Sequence, residues 1–393
     1  MARVIVVGGG PVGLSAALFL TDRRIDVTVL EAAPEPFPDP RAATYHPPTL
    51  EMLESSGVTQ MLHDRGIVAD KWQNWDRASG LIAEFDLAVL KEETTFPYRL
   101  QCEQHKLVAM LTEVLASRSN CTLIRDTSVI GVTQHADRVV AETARGTYEA
   151  DYLIGADGGR SVVRKSQGIE FEGFTYPEQF LVVTSDYDFA AEGYAYSCYV
   201  ADPQQWCALF KVPGSGPPGI WRTVFPTNPA EADEELLSFA HARTWLDRFV
   251  PRAKPYEILH TNLYRVHQRV AATFHKDRVL LVGDAAHVNN PLGGMGMNFG
   301  IHDAENVARA IAATLSGDGD ALPLFDRQRR FASTAFLQTM TIQNKAALED
   351  KDEASRRKRQ DDLRRTALDP VAAKAYLMRT SMIEGLRAAN AVT

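Results

Sequence analysis

At 393 residues and 43.4 kDa, with 45% apolar and 23% charged residues, the chain has the make-up of a globular protein long enough for two closely joined lobes. A formal charge of −8 argues against nucleic acid as the partner, since phosphate binding calls for a basic face. The four scattered cysteines (Cys102, Cys121, Cys198, Cys207) offer no CxxC and no His/Cys cluster at ligand spacing, so neither a disulfide framework nor a metal site is expected, and a reducing, cytoplasmic setting is. The opening MARVIVVGGG lacks a charged n-region followed by a long apolar stretch, so no signal peptide is expected, and no apolar run nears the ~18 residues of a membrane span.

The stretch RVIVVGGGPVGLSAALFLTDRRIDVTVLE predicts a strand to Val7, a glycine turn to Gly13, an Ala/Leu-rich helix and a second strand, together a βαβ unit. Prolines then punctuate a loop before TLEMLESSGV resumes helical periodicity, with Thr49 as the expected N-cap. An amphipathic helix is expected over 101–117, followed by short β runs returning to a strand that ends at Asp157. From 172 to 270 the chain turns β-rich and aromatic (YAYSCYV, QWCALFKV, IWRTVF); DRVLLVGD then restores a buried, parallel-type strand, and the remainder beyond Ala304 reads as helical. The expected architecture is α/β: a discontinuous Rossmann-type lobe (1–171 and 271–345), an inserted α+β, sheet-based substrate lobe (172–270) and a helical tail (346–393) that could support a homodimer. The mixed-sign run EDKDEASRRKRQDDLRR in that tail suits a solvated helix face.

Gly8, Gly10 and Gly13, with Pro11 and Val12 between the last two, satisfy GxGxxG between strand and helix. The first glycine permits the tight turn, the second lets backbone approach a pyrophosphate, and the third allows close helix packing. Glu31 follows 18 residues after Gly13, where a carboxylate can accept from a ribose diol. These residues indicate a dinucleotide without saying whether it is NAD or FAD. A later loop, GDAAHVNNPLGGMGMN, decides for FAD. Asp284 sits at a strand's carboxyl end, and Pro291, Leu292, Gly293, Gly294, Met295, Gly296 and Met297 lead into a helix whose start favours negative charge. Between the two lies YLIGADGGRSVVRK, an Asp-Gly turn at Asp157 with Ser161 as a cap and Arg160 and Arg164 behind it.

Taken in this order, GGGPVG…E, IGADGGRSVVR and GDAAHVNNPLGGMGMNFGIHDAENVA resemble the class A flavoprotein monooxygenases, the p-hydroxybenzoate hydroxylase-like FAD-dependent aromatic hydroxylases, over nearly the whole chain to about residue 345. The resemblance implies hydroxylation of a phenolic or hydroxy-heteroaromatic small molecule through a flavin C4a-hydroperoxide, with O2 and with NADH or NADPH docking transiently as reductant. It implies that Gly8, Gly10, Gly13 and Glu31 hold the ADP half of FAD, that Arg41 lies near the diphosphate and ring, and that Gln101 lies beside the ribityl chain. Asp157 would serve both FAD and NAD(P)H, Asp284 would bind a ribityl oxygen, and Pro291 through Gly296 would line the pyrimidine edge and the oxygen site. Pro48 stands where many relatives have an arginine.

For drawing off the phenolic proton the candidates are Tyr199, on an expected strand of the second lobe with Tyr194 and Tyr196 taken to share its face, His46 near the flavin loop, and Arg222 in GIWRTVF. His267 and His287 read as structural. The motifs report FAD rather than substrate, so an epoxidase, a reductase or a non-catalytic GDI-like binding protein of the same fold stays open. A flavin halogenase is disfavoured because WQNWDRASG lacks the WxWxIP spacing.

Overall fold

The computed structural model describes residues 3–36 and 42–393. The β-branched run Arg3–Val7 is the centre of a six-stranded sheet, flanked in parallel by Asp26–Leu30 and Tyr152–Gly155. Cys121–Ile124 extends it on one side; Val279–Leu281 and then the antiparallel His275–Lys276 extend it on the other. Its strands are near-continuous apolar runs because they are buried under the helices Pro11–Asp22 and Gln104–Ala116 and under a three-stranded meander whose Val129, Val139 and Ala141 join the same core. Pro11, whose missing N–H costs nothing at a first helical position, opens the crossover helix Pro11–Asp22. Against this helix lies Gly296–Leu315, which comes so close that a Cβ at Gly300 would stand 2.5 Å from a Val12 methyl. The expected meander is present as Val129–Gln134, Val139–Thr143 and Gly146–Ala150.

The second sheet has eight strands, ordered by residue as 287–288, 258–271, 171–185, 220–226, 207–212, 197–201, 71–76 and 80–86. It draws on Lys71–Asp76 and Gly80–Asp86 as well as on residues from 172–270, because Lys71–Asp76 adds in parallel to Ser197–Ala201. Strand alternation divides its side chains between two cores. Leu181 and Val183 face Trp221, Phe225 and the helix Phe239–Phe249, while Phe180 and Val182 face Trp206, Leu292 and Leu348. The long pair Phe171–Ser185 and Ile258–Ala271 carries the chain between the two sheets.

The tail is helical, as expected, and it folds back. Ala373, Leu377 and Ile383 pack on Trp72, Phe85 and Leu87. The charged run forms the helix Glu353–Leu368, which buries no residue fully and carries i,i+4 pairs such as Lys358 with Asp362. Two local expectations are corrected. Helix Pro47–Glu54 begins two residues ahead of the expected cap, because Pro47 and Pro48 suit its first turn; Thr49 is inside it, its hydroxyl 3.0 Å from His302 Nε2. Tyr194 and Tyr196 precede the strand Ser197–Ala201 and pack near Phe249 and Trp221, away from Tyr199, since an odd offset puts strand neighbours on opposite faces.

Candidate active site

The first glycine turn divides its work between folding and ligand. Gly8 has φ +111°, and a Cβ there would meet the Ala156 carbonyl oxygen at 2.4 Å; a Cβ on Gly13 would be 1.9 Å from the Gly8 carbonyl oxygen. Gly10 differs: its φ is −76°, and a Cβ there would meet no protein atom within 4 Å. The space it leaves open lies at the N-terminus of helix Pro11–Asp22, where unpaired N–H groups face outward. Glu31 accepts from the backbone N–H groups of Gly9 and Ala33 (2.7 Å for the latter), which fixes its carboxylate over the turn. Gly10→Ala is therefore expected to leave thermal stability unchanged while cutting FAD affinity at least about tenfold, and Gly13→Ala to yield little folded protein. Melting curves and flavin content on both variants check the contrast.

The other two motifs are strapped together. Asp157 accepts from Ser161 Oγ (2.5 Å) and from the N–H groups of Val162 (2.7 Å) and Val163 (3.1 Å), capping Val162–Ser166. Arg164, 3% exposed, donates to the carbonyls of Gly159 (2.9 Å) and Ala285 (2.8 Å) and lies over the Phe171 ring, so the Asp-Gly turn and the Asp284 turn move as one. Asp284 itself is exposed in the short turn Gly283–Ala285. The Gly293–Gly294 bend has φ +112° and +64°, and Met295 caps helix Gly296–Leu315, which places Met297 inside the helix. Pro291 is exposed ahead of that bend, and Val12 packs between helices.

A residue absent from the sequence-based candidates holds this bend. Asn298, fully buried, donates to the carbonyls of Gly294 (2.7 Å) and Thr44 (2.8 Å) and accepts from the His46 N–H (3.0 Å). Its place in the same glycine string, one turn into the helix, was the available signal. His46 donates from Nε2 to the Gly293 carbonyl (2.9 Å), which leaves Nδ1 a buried acceptor without a partner. Burial and then the Arg99 charge push the His46 pKa well below its ordinary value, so the ring is neutral. Gln101, also fully buried, accepts from Thr44 Oγ1 (2.8 Å), and its amide Nε2 has no partner. An orphaned buried donor, an open cradle at Gly10 and a helix start behind two left-handed glycines all fit the two ends of FAD.

Beside the bend is a cavity of about 220 Å³. Gly293 and Met295 bound it on one side, Trp72 and Tyr199 on another, and Asn344 and Tyr376 bring in the C-terminal helices. Tyr199 meets Trp72 edge-on at 4.6 Å, and its buried hydroxyl faces the Gly293 backbone without a well-formed hydrogen bond. Burial raises the Tyr199 pKa, and Arg99 only partly offsets this. Arg222 is 2% exposed on Ile220–Pro226, where its charge acts on His105, and it does not line the cavity. Arg41 lies outside the described residues. His287 and His267 are held by Asp303 (2.6 Å) and Thr175 (2.8 Å), in keeping with structural roles.

Comparison with known proteins agrees with this geometry. The family defined by its FAD binding domain matches residues 1–339. Para-nitrophenol 4-monooxygenase of Pseudomonas sp. (strain WBC-3) is 33% identical over 393 residues, covering 98% of this chain and 96% of the relative. 6-Hydroxy-3-succinoylpyridine 3-monooxygenase HspB of Pseudomonas putida is 33% identical, covering 84% and 85%. The crystal structure of p-nitrophenol 4-monooxygenase PnpA from Pseudomonas putida superposes with a TM-score of 0.91 at 31% identity, covering 98% of this chain and 99% of that one. The chain belongs to the class A flavin-dependent aromatic hydroxylases and is an FAD-dependent monooxygenase. No helix among the described residues is long and apolar enough to cross a membrane.

Proposed function

We propose that the enzyme adds one oxygen atom to a single-ring phenol or hydroxypyridine, with NADH or NADPH as reductant. The observation that carries this reading is that one aromatic-walled cavity is bounded both by the Gly293–Met295 bend and by Tyr199. Its volume of about 220 Å³ lies below the roughly 300–1,000 Å³ of ordinary ligand pockets, which suits one ring and not a fused polycycle. FAD, when bound, supplies the electrons taken from NAD(P)H and the activated oxygen.

The chain's own residues bind, orient and exclude water. Gly8, Gly10, Gly13 and Glu31 would take the ADP half, with Gln101 and Asp284 along the ribityl chain. The start of helix Gly296–Leu315 favours negative charge at the flavin's far edge, and His46 and Asn298 hold the preceding bend so that its N–H groups need no rearrangement. Tyr199, at the cavity wall, can relay the phenolic proton through Oη on its way to solvent, whereas His46 does not line the cavity and holds the bend. The apolar walls keep water from the reacting centre.

A panel of nitrophenols, hydroxybenzoates and hydroxypyridines, scored by stimulated NAD(P)H oxidation together with a mass gain of one oxygen, tests the reading. At least one monocyclic compound is expected to score on both. Nicotinamide consumption without oxygen gain across the panel would overturn it.

A further inference from the structure

Arg99 stands apart among the charged groups of the cavity. Asp76 is ion-paired to Arg356 (2.6 Å) and accepts from the N–H groups of Ala78 (3.1 Å) and Ser79 (3.0 Å); Arg359 is ion-paired to Asp350 (3.1 Å). Arg99 is 3% exposed, and no carboxylate pairs with it among the described residues. Its hydrogen bond is a long one, from Nη2 to the Thr380 carbonyl at 3.4 Å, and its Nε is buried with no partner. The Trp72 ring lies 4.3 Å from the guanidinium carbon, a contact that supports a cation without neutralising it. Removing a guanidinium from water costs far more than such a contact returns, and a buried charge left unpaired in one state is ordinarily paired in another.

The position is fixed by the same strand that supplies the flavin-side amide. In Arg99–Gln101 the end residues point to one face, so Gln101 aims at the bend and Arg99 at the cavity two residues away. The groups around Arg99 are the phenols of Tyr199 and Tyr376, the neutral imidazole of His46, and the already paired Asp76 and Arg359. None of them supplies a free negative charge.

We propose that Arg99 is the anion anchor of the cavity, receiving the ionised phenolic oxygen of a single-ring substrate and holding its ring against Trp72 and Tyr199. This rests on the hydroxylase reading above and adds a residue and a protonation state to it. The substrate binds as the phenolate, so its ring carbon is electron-rich from the moment of binding, and the proton is lost to solvent as the cavity fills.

The test uses the FAD-loaded enzyme without NAD(P)H, so that nothing turns over. Binding of 4-nitrophenol, whose ionised form is coloured, is followed against pH beside 4-nitroanisole, which keeps the nitro group but cannot ionise. The expected result is coloured, bound phenolate at pH values where the free phenol is mostly protonated, with the anisole at least about tenfold weaker. Arg99→Met is expected to raise the pH at which the bound phenol ionises by about one unit or more and to leave the anisole little changed, and Arg99→Lys to restore part of the shift. Equal affinity for anisole and phenol in the unaltered enzyme would overturn the anchor, and this comparison needs no variant to fold. An unmoved ionisation in a flavin-loaded Arg99→Met protein would do the same. If no phenol or hydroxypyridine binds at all, the hydroxylase reading fails together with it.

Discussion

Gly294→Asp is expected to reduce kcat/KM at least about 100-fold and to lower flavin content, with much of the protein still folded. Three effects add. At φ +64° a side chain costs roughly 1–2 kcal/mol of backbone strain. A Cβ would stand 2.9 Å from Thr44 Cβ, displacing the hydroxyl that donates to Gln101 and the carbonyl that accepts from Asn298. The new carboxylate would also oppose negative charge just where the helix start favours it. Gly294→Ala isolates the first two effects and should lose less, so the ratio of the two variants reports the electrostatic share. Turnover by the Asp variant within threefold of the unaltered enzyme, measured by oxygen incorporation, would remove the bend from the mechanism.

Local chemistry with a fixed period was legible in the sequence, and contact across distance was not. The turn at Gly8–Gly13 could be read because each glycine answers a separate steric demand within six residues, and the structure gives Gly8 and Gly13 the close neighbours and Gly10 the open space. The Asp157 cap and the helix behind Gly296 likewise follow from neighbours in the chain. The cavity was not legible, because its walls come from residues near 72, 199, 293, 344 and 376, and no spacing rule links them. For the same reason the strands 71–76 and 80–86 did not announce that they would join the second sheet: membership of a sheet is set by the partner strand, here 197–201, and not by a strand's own pattern. Arg222 shows the converse. A buried arginine on a strand looks functional in sequence, yet only the fold says which face it occupies. Arg99 was missed for a local reason: residue 101 reads as the start of a helix over 101–117, whereas Gln101 ends the strand Arg99–Gln101 and the helix begins at Gln104, and only that strand puts Arg99 on the same face two residues earlier.

Asp303→Ala is expected to destabilise the nucleotide-binding lobe by about 3–5 kcal/mol. Fully buried, Asp303 accepts from Arg329 Nε (2.6 Å), His287 Nε2 (2.6 Å) and the Gly283 N–H (3.0 Å), so one carboxylate ties the turn that carries Asp284 to the helices Gly296–Leu315 and Ala321–Phe331. Its removal leaves the Arg329 guanidinium, 1% exposed, without a counter-charge. Arg329→Ala should cost a similar amount, and the double substitution clearly less than the sum, because each single change strands the other's charge. The pH dependence has a definite sign. Burial alone would raise the Asp303 pKa, but His287 and Arg329 outweigh it and the net shift is downward. The contribution is therefore fully present above the unfolded carboxyl's ~3.9 and fades only as pH falls below that, toward the depressed folded value. Denaturant melts of Asp303→Asn against the unaltered enzyme should show a gap that is flat across neutral pH and narrows below about pH 4. A gap that instead widened on acidification would mean that the carboxylate is not the charged centre of the cluster, and additive costs for Asp303→Ala and Arg329→Ala would mean that the two do not act as a pair.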